Sequence, residues 1–583
     1  MSEHGLTGYP SIDKPWLQYY SEEAIHGKLP EYTMYGYVYE KNKNRQDATA
    51  LEYFGRKISY RELFLNVQRT AEAFYARGIR KGDMVTIMSL ITPETIYCIY
   101  ALNYIGAIAN MVYLSLSEDE MVQMVEKTDS KMFIILEIVG DRIEKVRDRL
   151  RNCEIILLAV DDSMPFWAKI IYRINRNFRS NKNLYKIERY TTFVKKTIME
   201  LAEEKEHNQS RLIEAPYKKN MPALIVYTSG TTGEPKGVIL TNDNFNAISY
   251  QYLNSGIEFE QEDSIMTFMP PFLSIGFSLN VHMPLCLGLK SVICVNPEPN
   301  NIVRFYIKNR PNHFVAAPLN VLQIMEKNDR NMKYCKSIGG GEAMSAQDTK
   351  KVNFALKKWG SNARYITGYG MSEFAATVTL NIVQAYQIEG MGIPLCKTVV
   401  KIVDPDTLEE LSYNRVGEMC FHTPSQMLGY LDNEEATEKT MRIHKDGMVW
   451  VHTGDLGCVD KNGVVYFKGR IKRIYMTKGE DGTIYKIFPA RVEELLGKYP
   501  GVRKCAVAVT AAREVMHEQT VFLTLKDKTV DQEKLLKGIQ NYCRENLPSH
   551  AIPVRYIVLD SIPLTQSGKV DYRKLESAVQ EMR

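Results

Sequence analysis

The sequence predicts an α/β protein with a large N-terminal domain of mixed, largely parallel sheets packed with helices, and a small α+β C-terminal domain. Three observations predict it. The 583 residues exceed what a single hydrophobic core organises, so at least two domains are expected. Short apolar runs, MVTIMSL (84–90), KMFIILEI (131–138), EIILLAV (154–160), SVICVN (291–296) and HFVAAP (313–318), alternate with amphipathic stretches such as ISYRELFLNVQRTAEAFYARGI. That is the pattern of buried parallel strands connected by helices. After Gly469 the rhythm restarts on a smaller scale, with PARVEELLGKY, KCAVAVTAA and QTVFLTLKD, which puts the linker near Lys472 and the domains at 1–471 and 472–583.

Composition narrows the class of partner. With 74 Lys and Arg against 69 Asp and Glu, the net charge is only +5, so no nucleic-acid partner is expected and any basic function is local. Ten scattered cysteines without a C-x-x-C pair read as reduced thiols of a cytoplasmic protein, not as a zinc site. The N-terminus lacks the basic start and apolar run of a secretory signal. Thr95 to Ser117 is uncharged, but Asn103, Asn110 and the small residues Gly106, Ala107 and Ala109 predict a buried helix leading into a core strand in preference to a membrane span. Mean hydropathy of −0.27 agrees.

One stretch departs from the α/β rhythm. Residues 165–197 carry many Lys and Arg and a single acid, Glu188, with Trp167, Ile170, Ile171, Ile174 and Phe178 at helical spacing. This is a basic amphipathic helix, read either as a peripheral membrane contact or as a solvated helix covering the large domain.

The densest chemistry lies in YTSGTTGEPKGV (227–238), between the strand-like ALIVY and GVILT. Thr228, Ser229, Gly230, Thr231, Thr232 and Gly233 supply hydroxyls and inward-facing backbone N–H groups, and Lys236 supplies a cation, which together suit a polyphosphate. The order is not that of a Walker A loop, and a strand follows it instead of a helix. No G-x-S-x-G elbow, H-E-x-x-H helix or G-x-G-x-x-G turn after a strand is present.

This loop resembles the signature of the adenylate-forming superfamily, which includes acyl-CoA synthetases, firefly luciferase and the adenylation domains of peptide synthetases. Five further motifs follow in that family's order: SIGGGEAM (337–344), YGMSE (369–373), TGDL (453–456), GRIK (469–472) and PLTQSGK (563–569). The resemblance spans about 50 to 575. It implies a two-step reaction in which a carboxylate and ATP give acyl-AMP and pyrophosphate, and a thiol then takes the acyl group, with ATP, Mg²⁺ and CoA as cofactors and substrates.

The resemblance also implies residue roles. Lys569 bridges the attacking carboxylate and the α-phosphate, Glu373 is the Mg²⁺ ligand, and Ser372 stands where the family commonly has Thr. The phosphate loop, Gly339, Gly340, Gly341, Glu342, Tyr369 and Gly370 line the nucleotide and acyl-adenylate, with Tyr369 against the adenine. Asp455 accepts the ribose hydroxyls beside Arg470. Lys472 is the hinge about which the small, mobile C-terminal domain turns between half-reactions.

Substrate is addressed by departures from the family pattern. Leu273 replaces the frequent His or aromatic residue, and no Asp occurs from Met266 to Val281, which leaves a substrate ammonium without a partner. Leu273 and Gly276, with Ile275, Phe277 and Leu279, read either as an apolar substrate-pocket wall or as a core strand. A hinge-side loop, KGEDGTIY (478–485), is about five residues longer than usual by this resemblance. The expected enzyme is a medium- or long-chain fatty acid–CoA ligase. The alternatives are an acyl-AMP ligase loading a separate carrier protein and a catalytically silent binding relative.

Overall fold

The computed structural model describes residues 6–177, 187–204, 212–228, 235–340, 344–473, 475–478, 483–511, 517–527, 529–565 and 570–582. The chain forms two compact units, one of Trp16–Val399 with His422–Val449, the other of Met1–Pro15, Val400–Phe421 and Trp450–Arg583.

The first unit holds two large sheets. One has eight strands in the order Gly429–Tyr430, Lys236–Thr241, Pro222–Thr228, Ile108–Met111, Met84–Met88, Met132–Leu136, Glu154–Leu158, Glu188–Arg189. Its members from Pro222–Thr228 onward pair in parallel, and Lys236–Thr241 and Gly429–Tyr430 join antiparallel. The other has nine strands, with a parallel run through Thr49–Tyr53, Lys290–Ile293, Ser264–Thr267, His313–Val315, Ser337–Gly340 and Tyr365–Gly370. The five apolar runs read from the sequence all appear as strands, buried as sheets covered by helices require.

The uncharged segment folds as expected. Thr92 caps the helix Pro93–Ile105, Pro93 occupies its first turn, and Gly106 ends it in the left-handed region before strand Ile108–Met111. Asn103, buried in that helix, donates to Asn242 at 2.7 Å and accepts from the Tyr35 N–H at 3.0 Å, so its polarity is satisfied inside the core. Among the described residues, no helix is long and apolar enough to cross a membrane.

In the second unit, the strands Val502–Ala511, His517–Leu525 and Arg555–Val558 form a sheet whose period-2 alternation builds two cores. Val507, Val521 and Leu523 face Val492, Leu496, Ile539 and Cys543. Ala506, Ala508 and Phe522 face Leu575 and Val579 of the last helix. All ten cysteines are free thiols, nine of them buried.

Candidate active site

The segment expected to hold phosphate is flanked by the two strands of a hairpin. Strands Pro222–Thr228 and Lys236–Thr241 pair antiparallel, with Thr228 opposite Lys236 and Tyr227 opposite Gly237. Tyr113 donates to the Tyr227 carbonyl at 2.6 Å, and the Tyr227 hydroxyl donates to Asn110 at 2.9 Å, fixing the strand that delivers the loop. Ser229, Gly230, Thr231, Thr232 and Gly233 lie outside the described residues.

Lys236 and Glu373 meet at a residue that the motifs did not point to. Strand Gly429–Tyr430 pairs with Val238 and Ile239, which places the Tyr430 ring 4.8 Å from the Lys236 ammonium. The Tyr430 hydroxyl donates to Glu373 Oε1 at 2.7 Å. Glu373 is buried in the short 3₁₀ turn Ser372–Phe374, and its carbonyl accepts from the Met427 N–H at 2.7 Å. Burial and the neighbouring Glu373 charge push the Tyr430 hydroxyl well above its ordinary range, so it remains a donor. A buried carboxylate oriented by a phenol is a hard oxygen donor of the kind Mg²⁺ selects.

Three of the four expected glycines have a packing reason, a Cβ on Gly339 lying 2.7 Å from the Ile366 carbonyl. A Cβ on Gly340 would lie 2.5 Å from the Ala316 carbonyl and 2.6 Å from the Tyr365 hydroxyl, and one on Gly370 would lie 1.9 Å from the Ala376 carbonyl. Neighbouring strands therefore demand glycine at all three positions before any ligand is considered. Tyr369 is buried, and its N–H donates to Thr379 at 3.0 Å. Gly339 pairs with Ile366 in the parallel register, while Gly341 and Glu342 lie outside the described residues.

The segment of Leu273 and Gly276 is helical, which corrects the core-strand reading. Leu273 caps a helix Ser274–Phe277 that passes through a π turn, Ser278–His282, into Met283–Leu287. A short apolar run has no period long enough to separate strand from helix, and here the Pro270 carbonyl, 2.1 Å from where a Gly276 Cβ would stand, requires the close turn. Phe277 packs edge-on to Phe245 and stacks on His282. His282 is fully buried. Its Nδ1 accepts from the Tyr100 hydroxyl at 2.9 Å and its Nε2–H donates to Asn246 at 2.9 Å, roles assigned from the network.

Burial holds the His282 pKa down to about 3. The unfolded chain therefore binds an extra proton between that value and the ordinary one of about 6.5, so stability falls as pH drops through this window. The expected slope is up to about 1.4 kcal/mol per pH unit. His282→Gln should flatten it in urea unfolding compared at pH values near 5 and 7, and an unchanged slope would refute the assignment.

In the second unit, Asp455 and Arg470 face each other across antiparallel strands Val449–Val459 and Val465–Arg470, with Arg470 Nε 3.2 Å from Asp455 Oδ1. The turn that presents Asp455 is braced by Glu418: Oε1 accepts from the Gly454 N–H at 2.9 Å and Oε2 lies 2.8 Å from His452 Nδ1. Thr453 donates to the Met419 carbonyl at 2.7 Å. Glu418, Cys420 and His452 bring possible metal-ligating atoms within 4.8 Å of one another, but both Glu418 oxygens already hold the turn. Sequence reasoning missed this brace because Glu418 lies outside every motif it used.

Lys472 falls in a single 3₁₀ turn, Ile471–Arg473. Arg473 binds Glu493 at 3.0 and 3.1 Å, donates to the Val507 carbonyl at 2.8 Å and stacks 3.8 Å over the Tyr572 ring. Arg470 is thus tied to Asp455 and Arg473 to the three-stranded sheet's layer, leaving Ile471 and Lys472 between two anchors. Lys569 and the Lys472 side chain lie outside the described residues; the bridge between Leu564 and Val570 closes the base of the Lys569 loop.

Comparison with known proteins identifies the family. The AMP-binding enzyme family profile matches residues 38–431, and that of the AMP-binding enzyme C-terminal domain matches 491–569. A long-chain-fatty-acid–CoA ligase of Bacillus subtilis (strain 168) is 24% identical over 576 residues, covering 96% of this chain and 97% of that one. The 4-coumarate–CoA ligase 4 of Arabidopsis thaliana is 25% identical over 536 residues, covering 91% and 87%. Among solved structures, the anthranilate CoA ligase AuaEII in complex with anthranoyl-AMP superposes with a TM-score of 0.78 at 20% identity, covering 95% of this chain and 98% of that one. With family profiles matching residues 38–431 and 491–569, the chain belongs to the AMP-binding, adenylate-forming enzyme family.

Proposed function

We propose that the protein is an AMP-forming acid–CoA ligase acting on a medium- or long-chain fatty acid. The observation that carries the reading is the Lys236–Tyr430–Glu373 constellation at the mouth of the phosphate-loop hairpin, a cation and a buried carboxylate fixed by one tyrosine. In the first step a carboxylate oxygen attacks the α-phosphorus of ATP and the bond to pyrophosphate breaks. In the second the CoA sulfur attacks the acyl carbon, the bond to AMP breaks, and the thiol proton passes to solvent.

The chain's own groups supply the electrostatics. The loop donors and Lys236 hold the β- and γ-phosphates, and Lys569 meets the charge gathering at the α-phosphate. Asp455 and Arg470 take the ribose, and Tyr369 the adenine. Glu373 would hold Mg²⁺, which when bound neutralises phosphate charge. Ile471 and Lys472 are the pivot between the two half-reactions.

An acyl chain is favoured by the apolar residues at 273–279, by the buried Phe245 packed edge-on to Phe277, and by the absence of an acid from Met266 to Val281. The relatives named above act, by their names, on both fatty and aromatic acids, so the acid is the open variable. Incubation with ATP, Mg²⁺ and a fatty acid, offering CoA or a phosphopantetheinylated carrier protein, should give acyl-CoA. Acyl transfer to the carrier alone would replace CoA as acceptor.

Glu418 is a positioning residue for Asp455. Glu418→Gln is expected to raise the KM for ATP about tenfold with a smaller change in kcat, as loss of an outer supporting contact does. Equal loss in kcat with KM unchanged would contradict the role.

A further inference from the structure

The helix Phe166–Asn177 is turned inside out for a protein surface. A helix lying on a globular body ordinarily packs its apolar stripe inward and solvates its charged face. Here the polar stripe packs inward. Lys169 donates to the Asp162 carbonyl at 2.9 Å, Tyr172 donates to Glu137 at 2.5 Å, and Arg173 pairs with the buried Asp161 at 2.6 Å. Arg189 closes the same acidic nest from the strand Glu188–Arg189, 2.7 Å from Asp161 and 2.6 Å from Asp162. Burial raises the Asp161 carboxyl, but the Arg173 and Arg189 guanidiniums outweigh it and hold the group below its ordinary range, whereas burial leaves Asp162 above its own.

With that stripe committed, the apolar one faces outward. Phe166 is 79% exposed, Trp167 60%, Ile170 43%, Ile171 55% and Ile174 55%. Their spacing puts all five on one side of the helix. Single exposed apolar residues need no explanation, but a contiguous stripe of this kind marks an interaction surface.

We propose that this stripe docks on an anionic lipid bilayer. Charge selects that occupant: the sequence that continues from the stripe, Asn175 to Ile187, has four basic residues (Arg176, Arg179, Lys182 and Lys186) and no acid. An apolar stripe with a tryptophan, continued in the sequence by a basic stretch without acids, matches the boundary between acyl chains and anionic headgroups. The 12-residue helix is about 18 Å long, too short to span a bilayer, so it lies in the plane of the surface. The side chains that seat it on the body are distinct from those it offers the lipid, so binding requires no unfolding. The inference does not depend on the acyl-chain assignment.

The test is flotation of the full-length protein with phosphatidylcholine vesicles, with and without phosphatidylglycerol, at low and high salt. Wild type is expected to float with the anionic vesicles and to lose binding in high salt. The double variant Trp167→Ser with Ile171→Ser, exposed positions that leave the Asp161 clamp intact, should bind about tenfold more weakly while keeping ATP-dependent pyrophosphate release with a short soluble acid. Flotation of the double variant equal to wild type would overturn the proposal. So would absence of wild-type flotation, and sedimentation velocity showing self-association lost in the double variant would then reassign the stripe to a second copy of the chain. Loss of pyrophosphate release in both proteins would count against the ligase reading and leave the vesicle result standing.

Discussion

Lys569→Ala is expected to slow acyl-adenylate formation by about 10²–10³-fold, the effect of removing one preorganised donor from developing oxyanion charge. The same variant should convert supplied acyl-AMP and CoA to acyl-CoA at close to the wild-type rate. The reasoning is electrostatic. As the carboxylate approaches the α-phosphate, two anions are brought together, and a fixed ammonium there stabilises the transition state more than the separated reactants. In the second step the phosphate is a leaving group and the sulfur attacks elsewhere, so the ammonium is dispensable. Single-turnover assays of each half-reaction separate the two, and equal loss in both would contradict a chain that pivots at Ile471–Lys472.

The second large effect is expected at Glu373. Glu373→Gln keeps an oxygen for the Tyr430 hydroxyl, so the local fold persists, but it removes the charge that would hold Mg²⁺. Activity at ordinary Mg²⁺ should fall by about 10²-fold or more, since a Lewis acid contributes several kcal/mol to transition-state charge stabilisation. Tyr430→Phe removes one hydrogen bond from the carboxylate without discharging it, and is expected to weaken the apparent Mg²⁺ affinity by about 10–100-fold, recoverable at high Mg²⁺. Mg²⁺ titrations of initial rate distinguish them. Rates of both variants that follow the wild-type Mg²⁺ curve would remove Glu373 from the metal.

These residues differ in how legible they were. The strands at 84–88, 132–136 and 154–158 could be read directly, because each is a continuous apolar run and its Val, Ile or Thr content favours a buried parallel strand over a helix. The strands that flank residues 229–234 were legible because ALIVY and GVILT are themselves short apolar runs. Tyr430 was not: it reaches Glu373 across 57 residues of sequence, and its only local mark is a two-residue edge strand. Glu418 and His452, 34 residues apart, are hidden for the same reason.

The basic insert shows a different limit. Periodicity revealed that the helix from Phe166 is amphipathic but not which stripe faces the body. The direction is set by the buried acids Asp161, Asp162 and Glu137, which draw Lys169, Tyr172 and Arg173 inward. At 273–279 the ambiguity was in the period itself, and the π turn at Ser278–His282 has no sequence signature that would have settled it.

The account rests on carboxylate activation by adenylate transfer, and a panel of fatty, aromatic, short-chain and amino acids assayed for ATP-dependent pyrophosphate release with CoA present tests it most directly. The predicted result is release of one pyrophosphate and one AMP per acyl-CoA formed, highest with medium- or long-chain fatty acids and negligible with amino acids. Pyrophosphate release with no acid in the panel, or ADP and phosphate in place of AMP and pyrophosphate, would contradict it.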